Sequence, residues 1–164
     1  MLSPQGVLAE QLPQNIVRTA QNTDKVDDQE VTVLCQEYDD RTLVLVTQVG
    51  KVGYLVQAQV NPGEQTAEFL NNKGRQDTIR VPTVSLVPLF GTPPNEMGDL
   101  YALYATQIAA KICADLYTAD TMMGPMKPVV VGLALSPATD NEDLAKEKNR
   151  LDTVLALVEK SRVW

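Results

Sequence analysis

Histidine is absent from all 164 residues. Such a chain lacks the side chain that titrates near neutral pH, the commonest metal ligand, and the base of every Ser–His or Cys–His nucleophile pair. Cysteine is nearly as scarce, with Cys35 and Cys113 lying far apart in the chain. Two lone thiols fall short of a zinc ligand set. Both are expected to be small core residues, with their thiols reduced. No stretch approaches the roughly 20 apolar residues that a membrane helix needs; the longest apolar run, residues 129–135, is strand-sized. Residues 1–15 show no charged segment leading into an apolar one, so no signal peptide is expected, and no Asn-x-Ser/Thr acceptor occurs. Residence in the cytosol or nucleus is the expectation.

Positive charge is also in short supply. Fourteen Lys and Arg stand against 21 Asp and Glu, for a net charge of −7. A surface of that sign repels phosphate, which argues against a nucleic acid or an anionic membrane as partner. Gly50-Lys51 has neither the glycine spacing nor the following Ser/Thr of a phosphate-cradling loop. Asp39-Asp40 reads as a solvated turn, and Asp140, Glu142 and Asp143 read as the favourable charges of a helix first turn. No catalytic, metal or cofactor residue is therefore expected.

What remains is an ordinary globular composition, 44% hydrophobic and 21% charged. A chain of this length can bury close to 70% of its unfolded surface in one domain. Residues 1–14, with Pro4 and Pro13, read as a loose tail before a single domain over 15–164. Residues 16–21 suggest a short strand, with a turn at Asn22, Thr23 and Asp24. Val31, Val33 and Cys35 alternate with Thr32, Leu34 and Gln36, the period of a strand. Residues 43–46 are apolar on both faces and predict a central strand covered on both sides.

Val49-Gly50-Lys51-Val52 predicts a tight hairpin turn, with positive φ at Gly50. Val52, Tyr54, Val56, Ala58 and Val60 should then share one face. Residues 65–76 are polar and loop-like. Residues 79–87 predict a strand at a sheet edge, because Pro82 cannot donate to a ladder; Pro88, Gly91, Pro93 and Pro94 then break the chain. A helix over about 96–117 puts Tyr101, Ala105, Ile108, Ala109, Ile112 and Leu116 on one face and Asp99, Gln107 and Lys111 on the other. Leu100 and Leu103 fall on that polar side, which marks them as candidate protein-binding residues. Met122, Met123 and Met126 suit either an adaptable surface or a connector.

A buried strand over 129–135 precedes a second helix, which starts near Asp140 and carries an apolar stripe of Leu144, Leu151, Val154, Leu155 and Val158. Leu45, Val56, Ile108, Val131 and Leu155 are the expected core. The order of elements gives an α+β domain: a mainly antiparallel sheet of about six strands with two main helices packed against it.

Residues 43–56, LVLVTQVGKVGYLV, resemble the signature hairpin of the proteasome assembly chaperone 3 family: an apolar strand, Thr-Gln, an apolar residue, Gly-Lys, an apolar residue, Gly, and a second apolar strand. The aliphatic strand, amphipathic helix and final Val163-Trp164 resemble the family's C-terminal part. The likeness covers residues 31–60 and 85–164. This chain is longer than the animal members in its tail, over 61–77 and around 122–127. The resemblance implies a chaperone that pairs with a partner of similar fold, the fourth assembly chaperone. The pair would bind the proteasome α-type subunits and leave as β subunits arrive, with no cofactor, nucleotide or catalysis. It adds Gly50, Lys51 and Trp164 to the candidate protein-binding residues. Two other classes remain open from the residues alone: a small-molecule-binding domain, and a trafficking or scaffold platform of similar build. The tag-free protein is expected to carry no stoichiometric metal or nucleotide; native mass spectrometry that found either would overturn this.

Overall fold

A computed structural model describes residues 17–61, 83–118, 126–137 and 144–164. The tail 1–14, the polar segment 65–76, Ile79 and Pro82, Met122 and Met123, and the acidic group Asp140, Glu142 and Asp143 lie outside the described residues.

Strand β1 (Arg18–Val26) and strand β2 (Gln29–Glu37) form a hairpin in register from Arg18↔Glu37 to Val26↔Gln29. Its two-residue turn is Asp27-Asp28, with φ of 49° and 63°. Two left-handed residues match the twist of the flanking strands, and aspartate is one of the few types that tolerates them. The turn expected at residues 22–24 is thus inside β1, which runs on to Val26. Strand β3 (Thr42–Thr47) pairs antiparallel with β2.

Strand β4 (Tyr54–Val60) does not pair with β3, and this corrects the expected tight hairpin. Strand β6 (Val129–Ala134) lies between them, parallel to β3 and antiparallel to β4. The six-stranded order is β1-β2-β3-β6-β4-β5. A two-residue turn bridges one strand spacing of about 4.8 Å, whereas β3 and β4 are two spacings apart. Residues 48–53 supply the wider span. Gly50 still takes the positive φ expected of it, 68°. Every residue of β6 is buried, in keeping with its unbroken apolar sequence and central slot.

Strand β5 (Val84–Gly91) is the edge beyond β4. Pro88 lies inside it rather than ending it, next to a register shift at Leu55/Val56. An edge tolerates this because one side of the strand needs no ladder donor.

Helix α1 (Gly98–Thr118) packs over β4, β5 and β6, and helix α2 (Leu144–Lys160) over β1 and β2. Both lie on the same side of the sheet. Tyr54 on β4 meets Tyr101 on α1 with ring centroids 5.9 Å apart, and Asn22 on β1 donates to Ser161 just past α2 at 2.9 Å. The α1 stripe is as expected: Tyr101, Ala105, Ile108, Ala109 and Ile112 are buried, and Leu116 packs at the margin. In α2 the buried apolar positions are Val154, Leu157 and Val158. Leu151 and Leu155 flank them, and Leu144, expected in the stripe, is 84% exposed. Val56, Ile108 and Val131 are core as expected; Leu45 is only half-buried, because it points away from the helices.

Ile108→Ala is expected to cost about 2–5 kcal/mol, and Leu155→Ala, at the flank of α2, less. Urea denaturation of both variants checks this; equal losses would mean that the two helix faces are rotated from the arrangement described.

Candidate protein-binding surface

A strand alternates its side chains between faces. Tyr54, Val56, Ala58 and Val60 meet the helices, so Leu55, Gln57 and Gln59 point the other way. Among the described residues no element covers that second face. The cross-strand register lines up Gln21, Leu34, Leu45, Gly132, Leu55 and Phe90 in one row across all six strands. Beside it run Gln36, Leu43, Val130, Gln57 and Val87. Phe90 is 65% exposed and Val87 51%, while the central leucines are half-buried by one another. The second cover expected over residues 43–46 is therefore not supplied by the described residues on this face.

Charge is missing from the stripe and its neighbours. The polar positions around it are Gln and Thr, and among the described strand residues ionisable side chains appear on this face at the far hairpin end, with Lys25 opposite Glu30. Scattered exposed apolar residues are normal. A contiguous uncharged band on so acidic a chain is the candidate interaction surface of the described residues.

At the centre of the band sits Gly132. A Cβ there would fall 2.5 Å from Leu45 Cδ2 and 3.0 Å from both Leu55 Cδ2 and Val52 Cγ1. The glycine leaves room for two leucines and a valine to close over β6 from either side. Val52 thus belongs to the open face, not to the Tyr54 face as the hairpin reading required.

The 48–53 loop that carries Val52 is tied down from within. Thr47 Oγ1 donates to Lys51 O at 3.0 Å and accepts from Val49 N at 3.2 Å. Gln48 N donates to Ala134 O at 2.9 Å. Gln48 Oε1 accepts from Ser136 N and from Arg150 Nη1, both at 3.0 Å, and its Nε2 donates to Gln29 Oε1 at 3.2 Å. Arg150 is 7% exposed. It also donates to Ser136 O at 2.8 Å, to Tyr104 Oη at 3.2 Å and to both carboxylate oxygens of Glu147.

Burial by itself lowers the Arg150 pKa and is the largest single influence, but the hydrogen bonds and charges of Glu147 and Tyr104 together outweigh it and the guanidinium is held more firmly charged. Tyr104, buried and donating to Glu147 at 2.7 Å, has its pKa pushed up and stays neutral. A buried charge is tolerable when its hydrogen-bonding groups are met in this way. The residues alone pointed to neither Arg150 nor Gly132, and to Gln48 only as part of the Thr-Gln of the 43–56 motif. The available signal for Arg150 was its spacing from Val154 and Leu157, which places it on the buried stripe of α2.

The five residues expected to bind protein do not gather at one place. Leu103 is 44% exposed on α1, but Leu100 packs against the core. Gly50 and Lys51 are exposed in the 48–53 loop. They lie at the end of the sheet where Tyr104 reaches the loop through Arg150. Trp164 packs against the core, its indole N–H without a hydrogen-bond partner among the described residues. Cys35 and Cys113 are both buried; burial pushes their thiols up to about 12 and about 11, which disfavours the nucleophilic thiolate.

No family model matches the chain, and no curated protein matches it either. In structure it is similar to a component of a novel chaperone complex for yeast 20S proteasome assembly, with a TM-score of 0.54 and 13% sequence identity. The likeness spans 88% of this chain and 97% of that one. The shared architecture is the α+β fold expected from the sequence, and the neighbour agrees with the resemblance drawn from residues 43–56.

Gly132→Val is expected to crowd Leu45, Leu55 and Val52 and to cost about 1–3 kcal/mol. Thermal and urea unfolding check this; a neutral result would mean that the leucines do not close over the glycine.

Proposed function

We propose that this chain is a chaperone for assembly of the proteasome core particle, acting as one half of a pair. Its open sheet face docks on a partner of the same build, the fourth assembly chaperone, and the pair engages α-type subunits. The observation that carries the reading is the uncharged apolar row from Leu34 through Leu45, Gly132 and Leu55 to Phe90. Such a row is flat and spans a whole sheet, so the shape that fits it best is another sheet presenting apolar side chains. Six strands at about 4.8 Å spacing and about six residues at about 3.4 Å rise give a face on the order of 600 Å². That approaches the roughly 800 Å² per partner of a standard interface.

The fold likeness to a component of a yeast proteasome-assembly chaperone complex and the motif over residues 43–56 support the same reading. Leu103, exposed on the helix side, leaves a second surface for an α-type subunit once the sheet face is occupied.

The test is co-expression with the fourth assembly chaperone of the same genome, followed by size exclusion and native mass spectrometry. The double change Leu34→Asp with Phe90→Asp should abolish the pair while the isolated chain stays folded. A double variant that pairs as well as the unaltered chain would sink the assignment of this face.

A further inference from the structure

We propose that Arg150, acting through Gln48, holds the 48–53 loop as a preformed rim of the open sheet face, and so sets how tightly the partner is held. The inference rests on the reading of that face as the partner surface, but its cause lies on the opposite side of the sheet. Arg150 sits in the helix layer, against Tyr104 of α1 and Glu147 of its own helix. One nitrogen, Nη1, reaches past them to Gln48 Oε1 and Ser136 O.

Gln48 is where the two layers meet. It follows the last residue of β3, and its side chain joins α2, the segment after β6 and the start of β2 at once. Its own amide is bonded to Ala134 O. Four residues further on, Val52 closes over Gly132 beside Leu45 and Leu55. Val49, 47% exposed, and Lys51 stand out from the same loop.

A loop that must straddle β6 has no neighbouring strand to define its path, so its shape depends on these side-chain ties. With the ties in place, Val49, Lys51 and Val52 meet a partner without first being ordered, and the ordering cost is removed from binding. Without them the loop samples other paths and Val52 leaves the band. Arg150 touches no partner in this arrangement; it is a positioning residue.

The distinguishing variants act at Gln48, because Arg150→Met leaves the Glu147 carboxylate uncompensated and so disturbs folding as well. Gln48→Leu removes the link and leaves Arg150 with Glu147, Tyr104 and Ser136. Gln48→Glu keeps acceptors for both Arg150 and the Ser136 amide. Hydrogen exchange of amides 49–53 in the isolated full chain is read beside affinity for the co-expressed fourth assembly chaperone. Gln48→Leu should speed loop exchange and weaken pairing, each about tenfold, with exchange in the core strands unchanged; Gln48→Glu should restore both.

Loop exchange unaltered in Gln48→Leu, with unaltered chain and partner still pairing, overturns the positioning role alone. Faster exchange with full affinity overturns the claim that the loop matters to the partner. An unaltered chain that does not pair at all removes the partner reading, while loop exchange still decides whether the Gln48 link holds the loop.

Discussion

Strand β6 is hydrogen-bonded to β3 on one side and to β4 on the other, and the remaining architecture follows from that insertion. Because β3 and β4 are held two strand spacings apart, their connection cannot be a tight turn and becomes a six-residue loop. Because β6 enters parallel to β3, the chain must cross the sheet between β5 and β6. Helix α1 makes that crossing on the side where Tyr54, Val56 and Val131 form the core. Both helices are used on that one side, so the other side of the sheet has no layer among the described residues. The apolar row there is thus a product of topology as much as of composition.

The two faces of the sheet solve different problems. On the helix side, valine and tyrosine side chains are buried, and Arg150, buried among them, is met by Glu147, Tyr104, Gln48 and Ser136. On the open side, leucines stop at half burial, and the surrounding glutamines and threonines can leave water without the desolvation penalty that a lysine or glutamate carries. Among the described residues, acidic charges cluster away from the apolar row, on the Asp27-Asp28 turn and the Asp39-Asp40 turn. That partition keeps the molecule soluble by charge while leaving one face that loses little when it is dried by a partner.

Much of the fold was legible in the residues because its signals are local. Alternation in residues 31–36 marked β2, the 100° stripe of Tyr101, Ala105, Ile108 and Ile112 marked α1, and the unbroken run 129–135 marked a buried strand. The hairpin was misread because local chemistry cannot report a strand arriving from much further along the chain, at Val129–Ala134. Gly50 kept the positive φ that a tight turn requires, and Val49-Gly50-Lys51-Val52 looks the same whether the gap it closes is one strand wide or two. Arg150 was missed for a related reason. Among Lys146, Lys148 and Glu147 it reads as part of a solvated helix face, and only its spacing to Val154 and Leu157 hints that it turns inward.

The motif at residues 47–53 can be resolved into separate physical tasks, none of them catalytic. Thr47 closes the loop on itself through Val49 and Lys51. Gln48 fastens it to two strands and a helix, Gly50 supplies a left-handed residue, and Val52 caps the gap above Gly132. A catalytic motif fixes reactive atoms, so its residues converge on a point where a substrate can sit. Here the fixed residues converge on the shape of a loop and on the closure of an apolar surface. A pattern that constrains shape is consistent with the proposed role, in which the loop helps to present one surface to another protein.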